Sequence, residues 1–318
     1  MISLSIAIPT FNRSDKLMEL LMRIEVIVPL EIPVVIRDNG SSDESWNTIE
    51  NYRKNTTRLV KATKNQKNLG IDYNIFSVVE DCDTEFVWLL GDDDDFEDAV
   101  WEKITESIAL FPDVALLYLN YSVWNSSLTK ALSSGCITMS NEQYYKKGLQ
   151  IFGCVAELMS FISCLVIKRE SFLHSKESLP ANFNNTAVDF VWCIAHMLRD
   201  QSAAYISESM IRYRSGDEDR GFSGLATLPY FGEICREFVK GNGLEVVRLQ
   251  ALDTALKRSI VSKTRLMRDS NSLSLCSRFK LYIKLAKEFR TRPYFWFKIT
   301  PMFFVPWTLV KIMRKILR

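Results

Sequence analysis

The chain has no stretch of about 18 to 20 apolar residues uninterrupted by charge, so a polytopic membrane protein is excluded. It has no disulfide or zinc framework. The seven cysteines (82, 136, 154, 164, 193, 235 and 276) are odd in number and form no C-x-x-C pair. The opening Met1 to Pro9 has neither a basic n-region nor a cleavage site, so it reads as a buried strand and the cysteines as reduced cytoplasmic thiols packed as small hydrophobes. Histidine is scarce: His174 and His196 share no ligand spacing, and His196 lies among apolar helix neighbours as a structural residue. A Ser-His-Asp arrangement, a P-loop, a G-x-G-x-x-G, internal repeats and low-complexity tracts are all missing. What is present is ordinary globular composition, 47% apolar and 25% charged over 318 residues, enough to bury one large core or two small ones.

The net charge of +2 hides a division. Residues 257–318 carry 16 Lys and Arg against Asp269 and Glu288, a local charge of +14, whereas the remainder carries −12. An acidic body with a basic tail predicts two jobs, the tail facing something anionic. Nucleic acid is not expected as that partner, because the acidic body would repel it.

Strands and helices alternate through the first 120 residues. Leu4 to Ile8 is a strand ending at Pro9, and Ser14 is expected to cap a helix with Leu17, Leu20, Leu21 and Ile24 inward. Val34 to Ile36 is a buried strand, followed by a helix with Trp46 and Ile49 inward. Leu59 to Ala62 is a weaker strand. After the turn Asn65–Gly70, a helix buries Ile71, Asn74 or Ile75, Val78 and Val79. Phe86 to Leu90 is a strongly apolar strand, with a helix expected over 97–110 and a strand over 114–119. The alternation predicts an α/β fold with an open, mostly parallel sheet covered on both faces. Ligands then bind beyond the carboxyl ends of the strands, which gives Thr10, Asn12, Arg13, Asp38, Asn39, Asp43 and the run Asp92–Asp95 one shared crevice.

Further on the pattern weakens. Ile162 to Ile167 reads as a strand and Pro180–Thr186 as a loop. Asp189 opens a helix with Val191 or Trp192, Ile194, Ala195 and Leu198 inward. Two short strands are expected at 203–206 and 210–213, then a mobile polar segment over 215–224 and a helical, increasingly basic region after about 230.

The aspartate run is the sharpest feature. Four adjacent carboxylates repel one another, so some of them need a cation nearby. Mg²⁺ and Mn²⁺ often take only one or two protein carboxylates, with phosphate oxygens and water completing the shell. The alternative is a solvated acidic loop in which Asp94 or Asp95 caps the next helix. A receiver-type phosphoacceptor site also clusters aspartates, but the lysine placement it needs is not evident.

Ile6-Ala-Ile-Pro9-Thr10-Phe-Asn12-Arg13, Ile36-Arg-Asp38-Asn39-Gly-Ser-Ser-Asp43, Asn65-x-x-Asn68-Leu-Gly70 and Leu89-Leu-Gly91-Asp92-Asp93-Asp94 follow one another in order over residues 3–100. Together they resemble the family 2 glycosyltransferases of the GT-A (Rossmann-like) fold, in particular bacterial enzymes that build O-antigen or other surface polysaccharide, such as abequosyltransferase-like proteins. The resemblance implies that Pro9, Thr10, Asn12 and Arg13 contact the nucleotide and that Asp38, with Asn39, holds the base, commonly uracil. It implies that Asn68 and Gly70 lie in a loop closing over the nucleoside, and that the D-x-D element holds Mn²⁺ or Mg²⁺ on the diphosphate. Gly91 aligns with the usual first aspartate, so Asp92, Asp93 and Asp94 are all candidates, with Asp93 favoured as direct ligand.

Asp189 falls where the family keeps its general base, although the glutamate that often precedes it is Val188 here. The alternative is a plain helix cap. Arg214, in Tyr213-Arg214 followed by Arg220-Gly-Phe-Ser223, resembles the end of the family's catalytic domain, where an arginine could stabilise a departing diphosphate. The alternative is a surface arginine beside Asp217-Glu-Asp219. The implied organisation is a catalytic domain over 1–225, its nucleotide-sugar half about 1–120 and its acceptor half about 121–225, followed by a helical region over 226–318. The expected partners are a nucleotide-sugar donor, with a UDP-sugar favoured, and a lipid-linked saccharide acceptor. Two rival readings are a metal-dependent nucleotidyltransferase, which would release pyrophosphate, and a non-catalytic assembly protein.

The end of the chain, Tyr294 to Trp307 and then Thr308 to Arg318, interleaves aromatics with basic residues. Its uncharged part, 299–310, contains Pro301 and Pro306 and falls short of the roughly 20 residues a span needs. Rings and Lys/Arg together suit the headgroup zone, so peripheral attachment to the anionic inner face of the plasma membrane is expected. The alternative is a basic helix packed on the body.

Overall fold

The computed structural model describes residues 2–135, 144–155, 158–215, 220–238, 245–260, 264 and 274–305. The chain forms two compact units, Met1–Ile151 with Leu158–Gly216, and Phe152–Glu157 with Asp217–Arg318.

The first unit opens with β1 (Leu4–Thr10), α1 (Ser14–Ile27), β2 (Val34–Asp38), α2 (Ser45–Asn55), β3 (Val60–Lys64), α3 (Ile71–Glu80), β4 (Phe86–Leu89), β5 (Asp95–Phe96), α4 (Val100–Leu110) and β6 (Val114–Trp124). It continues through β7 (Ala131–Ser133), β8 (Tyr144–Tyr145), the start of α5 (Leu149–Val155), β9 (Leu165–Lys168), α6 (Arg169–Lys176), α7 (Asp189–Leu198) and β10 (Ser202–Arg214). The main sheet runs β3-β2-β1-β4-β9-β6-β10-β5. β1 pairs in parallel with β2 and β4, β2 with β3, and β6 with β10. β9 is antiparallel to both β4 and β6, and β5 is antiparallel to β10. The sheet is therefore mixed but largely parallel, and its central strands are buried on both faces.

Pro9 is tolerated in central β1 because β4 pairs with that strand only as far as Ala7, so no ladder bond on that side needs its missing N–H. Phe86–Leu89 carries no polar residue because helices or strands cover it on every side, and all four of its residues are buried.

Several expectations need correction. Ser14 does not cap α1: Arg13 is the N-cap, and the Ser14 hydroxyl meets that of Thr48 at 3.0 Å. Ile71 is 51% exposed, since the helix turns Asn74 and Ile75 inward together. Trp46 is half-buried beneath the Lys64 ammonium. Residues 162–164 form a 3-10 turn, so β9 begins only at Leu165. The two short strands expected after Ala203 are one strand, β10, with register shifts around Ile206 to Ile211 that absorb the polar Ser207 and Glu208. Neither Asp94 nor Asp95 caps α4, because Asp95 and Phe96 instead pair with β10. Both Val191 and Trp192 are buried, because α7 buries nine of its ten residues.

In the second unit α8 (Arg220–Glu237) begins inside the segment expected to be mobile. It is followed by α9 (Glu245–Ala255), α10 (Leu275–Phe289) and α11 (Thr300–Phe304). Leu281, Leu285, Phe289, Phe295, Ile299, Met302 and Phe303 are buried, and Arg236–Glu288 and Arg292–Asp253 form ion pairs. Leu275, Phe279 and Ile283, spaced by four on α10, are exposed. No described helix is long and apolar enough to cross a membrane. The basic segment after residue 305 lies outside the described residues.

Candidate active site

Three strand ends converge on Thr10. In the β1–β2 ladder Thr10 stands opposite Asp38, and Asn39 N–H donates to Thr10 O at 2.9 Å. On the other side the Thr10 hydroxyl donates to Asp92 Oδ2 at 2.7 Å. Asp38 and the aspartate run therefore lie at one edge of the sheet, as the parallel topology requires.

Asp38 is fully buried. Its Oδ1 accepts from Ser41 N at 2.9 Å and Ser41 Oγ at 2.5 Å, while Oδ2 accepts no hydrogen bond and lies 3.6 Å from Lys64 Nζ. A buried carboxylate oxygen without a donor is costly, so this atom fits an N–H group of a ligand. Asn12 adopts φ +50° and zips β1 to the next turn: its N–H donates to Ser41 Oγ at 2.8 Å, and its Oδ1 accepts from Ser42 N at 2.9 Å. Asn39 ties in the following loop. Its Nδ2 donates to Asn68 Oδ1 at 2.9 Å and Gly70 O at 3.1 Å, and its Oδ1 accepts from Leu69 N and Asn65 Nδ2. Gly40, at φ +78°, has room for no side chain, because a Cβ would fall 2.6 Å from the Lys67 backbone.

The four aspartates have four different surroundings. Asp92 is partly exposed and held by Thr10. Asp93 is buried, with the Arg13 guanidinium 3.8 Å away. Asp94 is buried with both oxygens engaged: Oδ2 accepts from Ser163 Oγ at 2.6 Å and Oδ1 from Arg214 N at 3.4 Å. Burial pushes its carboxyl up to about 7, against the opposing pull of those hydrogen bonds. Asp95 is neutralised by Arg23 and Arg212. Among the described residues no group of three His, Cys, Asp or Glu side chains could enclose a metal. The donor set nevertheless fits Mg²⁺ or Mn²⁺ completed by diphosphate and water, which needs one or two carboxylates. Asp92 and Asp93 are placed where they would provide them, whereas the Asp94 carboxylate is already engaged by Ser163 and the Arg214 amide.

Arg214 does not direct its guanidinium to an open crevice. It is buried, with Nε donating to Asp93 O at 2.8 Å, Nη1 to Ser126 O at 2.9 Å and Nη2 to Glu19 Oε2 at 2.6 Å. These bonds brace the aspartate turn against β10 and α1. The side chain of Arg220 lies outside the described residues.

Asp189 is the first residue of α7 and is 2% exposed. Its Oδ2 accepts from Asn185 N at 2.6 Å, and its Oδ1 accepts from the amide and the hydroxyl of Thr186. It closes the preceding turn and does not cap its own helix. Capping falls to Asp72, two residues past Gly70, whose carboxylate receives the amides of Ala187, Asp189 and Phe190. Burial first, and the charge of Asp189 second, push Asp72 up to about 7. The turn also touches the Asn65–Gly70 loop, since Asn185 Nδ2 donates to Leu69 O at 3.1 Å and the Asn185 amide covers Gly70. Sequence reasoning did not find Asp72, Ser163 or Asn185. Their side chains reach partners 69 to 118 residues away, and no local spacing marks such pairs.

A mixed, largely parallel sheet whose polar loops, aspartates on one side and a buried asparagine–aspartate loop on the other, gather at the carboxyl ends of β1, β2 and β4 defines an α/β protein with its ligand-binding edge there. Residues 5–172, more than half of the chain, match the family model for Glycosyl transferase family 2, and the chain belongs to that family. Abequosyltransferase RfbV of Salmonella typhimurium is 34% identical over 93 residues, which span 29% of this chain and 28% of that one. Among solved structures, S. aureus TarS 1–349 in complex with UDP-GlcNAc superposes with a TM-score of 0.66 at 13% identity, over 92% of this chain and 82% of that one. The mannosyltransferase PcManGT of Pyrobaculum calidifontis, in complex with GDP-Man and Mn²⁺, gives 0.56 at 12% identity, over 95% and 84%. At these identities the likeness is one of fold, and the fold is GT-A.

Proposed function

We propose that the protein moves one sugar from a nucleotide-sugar, a UDP-sugar by preference, to a hydroxyl of a lipid-linked saccharide during synthesis of bacterial O-antigen or another surface polysaccharide. The observation that carries this reading is the position of Thr10, bonded on one side to the Asp38 turn and on the other to Asp92. A ligand bridging those two sites would offer an N–H donor to Asp38 Oδ2 at one end and, through a divalent cation, an anionic group to Asp92 at the other, which a nucleoside diphosphate does.

In this reading Asp38 Oδ2 accepts from the base, and Pro9, Asn39, Asn68 and Gly70 line the nucleoside. Asn12 and Arg13 face the diphosphate, with Asp92 and Asp93 holding the divalent cation. When bound, that cation neutralises diphosphate charge and improves the leaving group. Asp189 takes the acceptor proton as the hydroxyl oxygen attacks the anomeric carbon from the face opposite the departing diphosphate, which inverts the configuration. The acceptor hydroxyl then takes over the hydrogen bond that the Thr186 hydroxyl gives Asp189. Asp94 and Arg214 act by supporting the aspartate turn.

The second unit holds the enzyme against the anionic inner face of the plasma membrane. Exposed Leu275, Phe279, Ile283, Trp296, Phe297 and Phe304 lie among exposed Lys280, Lys284, Lys287 and Lys298, a composition suited to anionic headgroups.

The test is nucleoside diphosphate release from a panel of nucleotide-sugars in the presence of bacterial lipid extract. Asp93→Ala and Asp189→Ala each abolish transfer, and only Asp93→Ala weakens metal-dependent nucleotide binding. Full transfer by Asp189→Ala removes Asp189 as the base.

A further inference from the structure

One side chain of α3 holds the start of α7. Asp72 is the second residue of α3 and is 2% exposed. Its Oδ2 accepts from Ala187 N at 2.5 Å, and its Oδ1 accepts from Asp189 N at 3.0 Å and Phe190 N at 3.5 Å. The first amides of a helix have no partner within the helix. In α7 the N-cap residue is Val188, which has no polar side chain, so Asp72 supplies what the helix's own sequence cannot.

A carboxylate suits a helix N-terminus, where it meets the unpaired amides and the positive end of the dipole. Here it also puts a second buried carboxyl beside Asp189, and burial first and that neighbour second push Asp72 up to about 7. The segment it holds is also unusual. Asn185 and Ala187 both adopt left-handed backbone, at φ +59° and +65°, and Ala187 has no side chain suited to that conformation. The turn that presents Asp189 is thus kept in an unfavourable shape by contacts from outside itself, and the Asp72–Ala187 bond is one of them.

We propose that Asp72 is a positioning residue for transfer, fixing the backbone of residues 187–190 so that the Asp189 carboxylate meets the acceptor in one orientation. This rests on the reading of Asp189 as the base. The same helix start ties this geometry to the donor side, because α3 begins immediately after Gly70 and Asn185 reaches Leu69 O. The nucleoside loop and the base-bearing turn therefore adjoin at the start of α3, the loop held by Asn39 and the turn by Asp72.

The experiment uses Asp72→Ala and Asp72→Asn in the full chain, each also combined with Asp189→Asn. Hydrogen–deuterium exchange is followed in peptides spanning 185–190 and 65–70. Turnover is followed as nucleoside diphosphate released from UDP-glucose, UDP-N-acetylglucosamine or GDP-mannose with water as acceptor. Asp72→Ala is expected to speed exchange in 185–190 on the order of tenfold and to leave 65–70 unchanged. Turnover should fall roughly 100-fold with an unchanged KM for the donor, the size of effect a misplaced catalytic group produces. In the Asp189→Asn background the same substitution should change turnover less than twofold, because its effect passes through Asp189. Asp72→Asn keeps one acceptor oxygen and should recover part of the loss; it also carries the comparison if Asp72→Ala does not fold. Unchanged exchange in 185–190, or equal losses of turnover in both backgrounds, overturns the proposal. Full turnover by Asp189→Asn alone instead overturns the assignment of the base.

Discussion

Replacing Gly70 with alanine probes the contact between the Asn65–Gly70 loop and the turn that carries Asp189. Gly70 adopts φ +93° and ψ 164°, a region essentially reserved for glycine, so any side chain there costs about 1–3 kcal/mol in backbone strain. The added Cβ would also fall 1.9 Å from Asn185 Nδ2 and 2.2 Å from its Oδ1. The Asn185 amide must then swing away and give up its bond to Leu69 O, a further loss of about 1 kcal/mol. The combined penalty of about 2–4 kcal/mol corresponds to a fall of roughly 5–15 °C in the melting temperature of a domain this size. Thermal melting followed by circular dichroism measures it. Asn185→Gly, which removes the colliding amide and suits φ +59°, should recover about 1 kcal/mol when combined with Gly70→Ala. A Gly70→Ala melting curve within about 2 °C of the parent would refute the reasoning.

Arg214→Lys should lower stability by about 2–3 kcal/mol, since an ammonium cannot serve Asp93 O, Ser126 O and Glu19 together. It should also weaken manganese-dependent nucleotide binding. An unchanged melting temperature with lost turnover would favour direct contact between Arg214 and the diphosphate. Vesicles containing anionic lipid should sediment the full chain in low salt and release it as salt rises, and Phe297→Ser with Phe304→Ser should reduce the bound fraction. Equal binding to neutral vesicles would remove the electrostatic part of that prediction.

Much of the first half of the fold can be read from the sequence because each strand is a short apolar run stopped by a polar turn. The strands expected over Leu4–Ile8, Val34–Ile36 and Phe86–Leu90 are found as Leu4–Thr10, Val34–Asp38 and Phe86–Leu89, and the polar residues that follow them do share an edge. The second half is less readable. Nothing in Leu165–Lys168 says that this strand inserts between β4 and β6 and runs against both. β10 looks like two strands because Ser207 and Glu208 interrupt its apolar pattern at the bulge.

In the site, residue types were easier to anticipate than their surroundings. Four adjacent aspartates look alike in sequence, yet Ser163 draws Asp94 inward while Arg23 and Arg212 claim Asp95. Arg58 is a similar case outside the site. Nothing in the sequence marks it, yet its buried guanidinium donates to the carbonyls of Ile24, Val28, Pro29 and Ile32 and closes the end of α1. Such pairings depend on which distant backbone the fold brings near, and periodicity carries no record of that.

Calorimetric titration of the full chain with UDP, GDP, CDP and dTDP, with Mn²⁺ and then with EDTA, tests most directly whether the edge joining Asp38, Thr10 and Asp92–Asp93 is a nucleoside diphosphate site. The account predicts tight binding of at least one nucleotide with Mn²⁺, at least tenfold weaker binding in EDTA, and loss of that metal-dependent gain in Asp93→Ala. No binding to any of the four, or binding indifferent to both Mn²⁺ and Asp93, would contradict it.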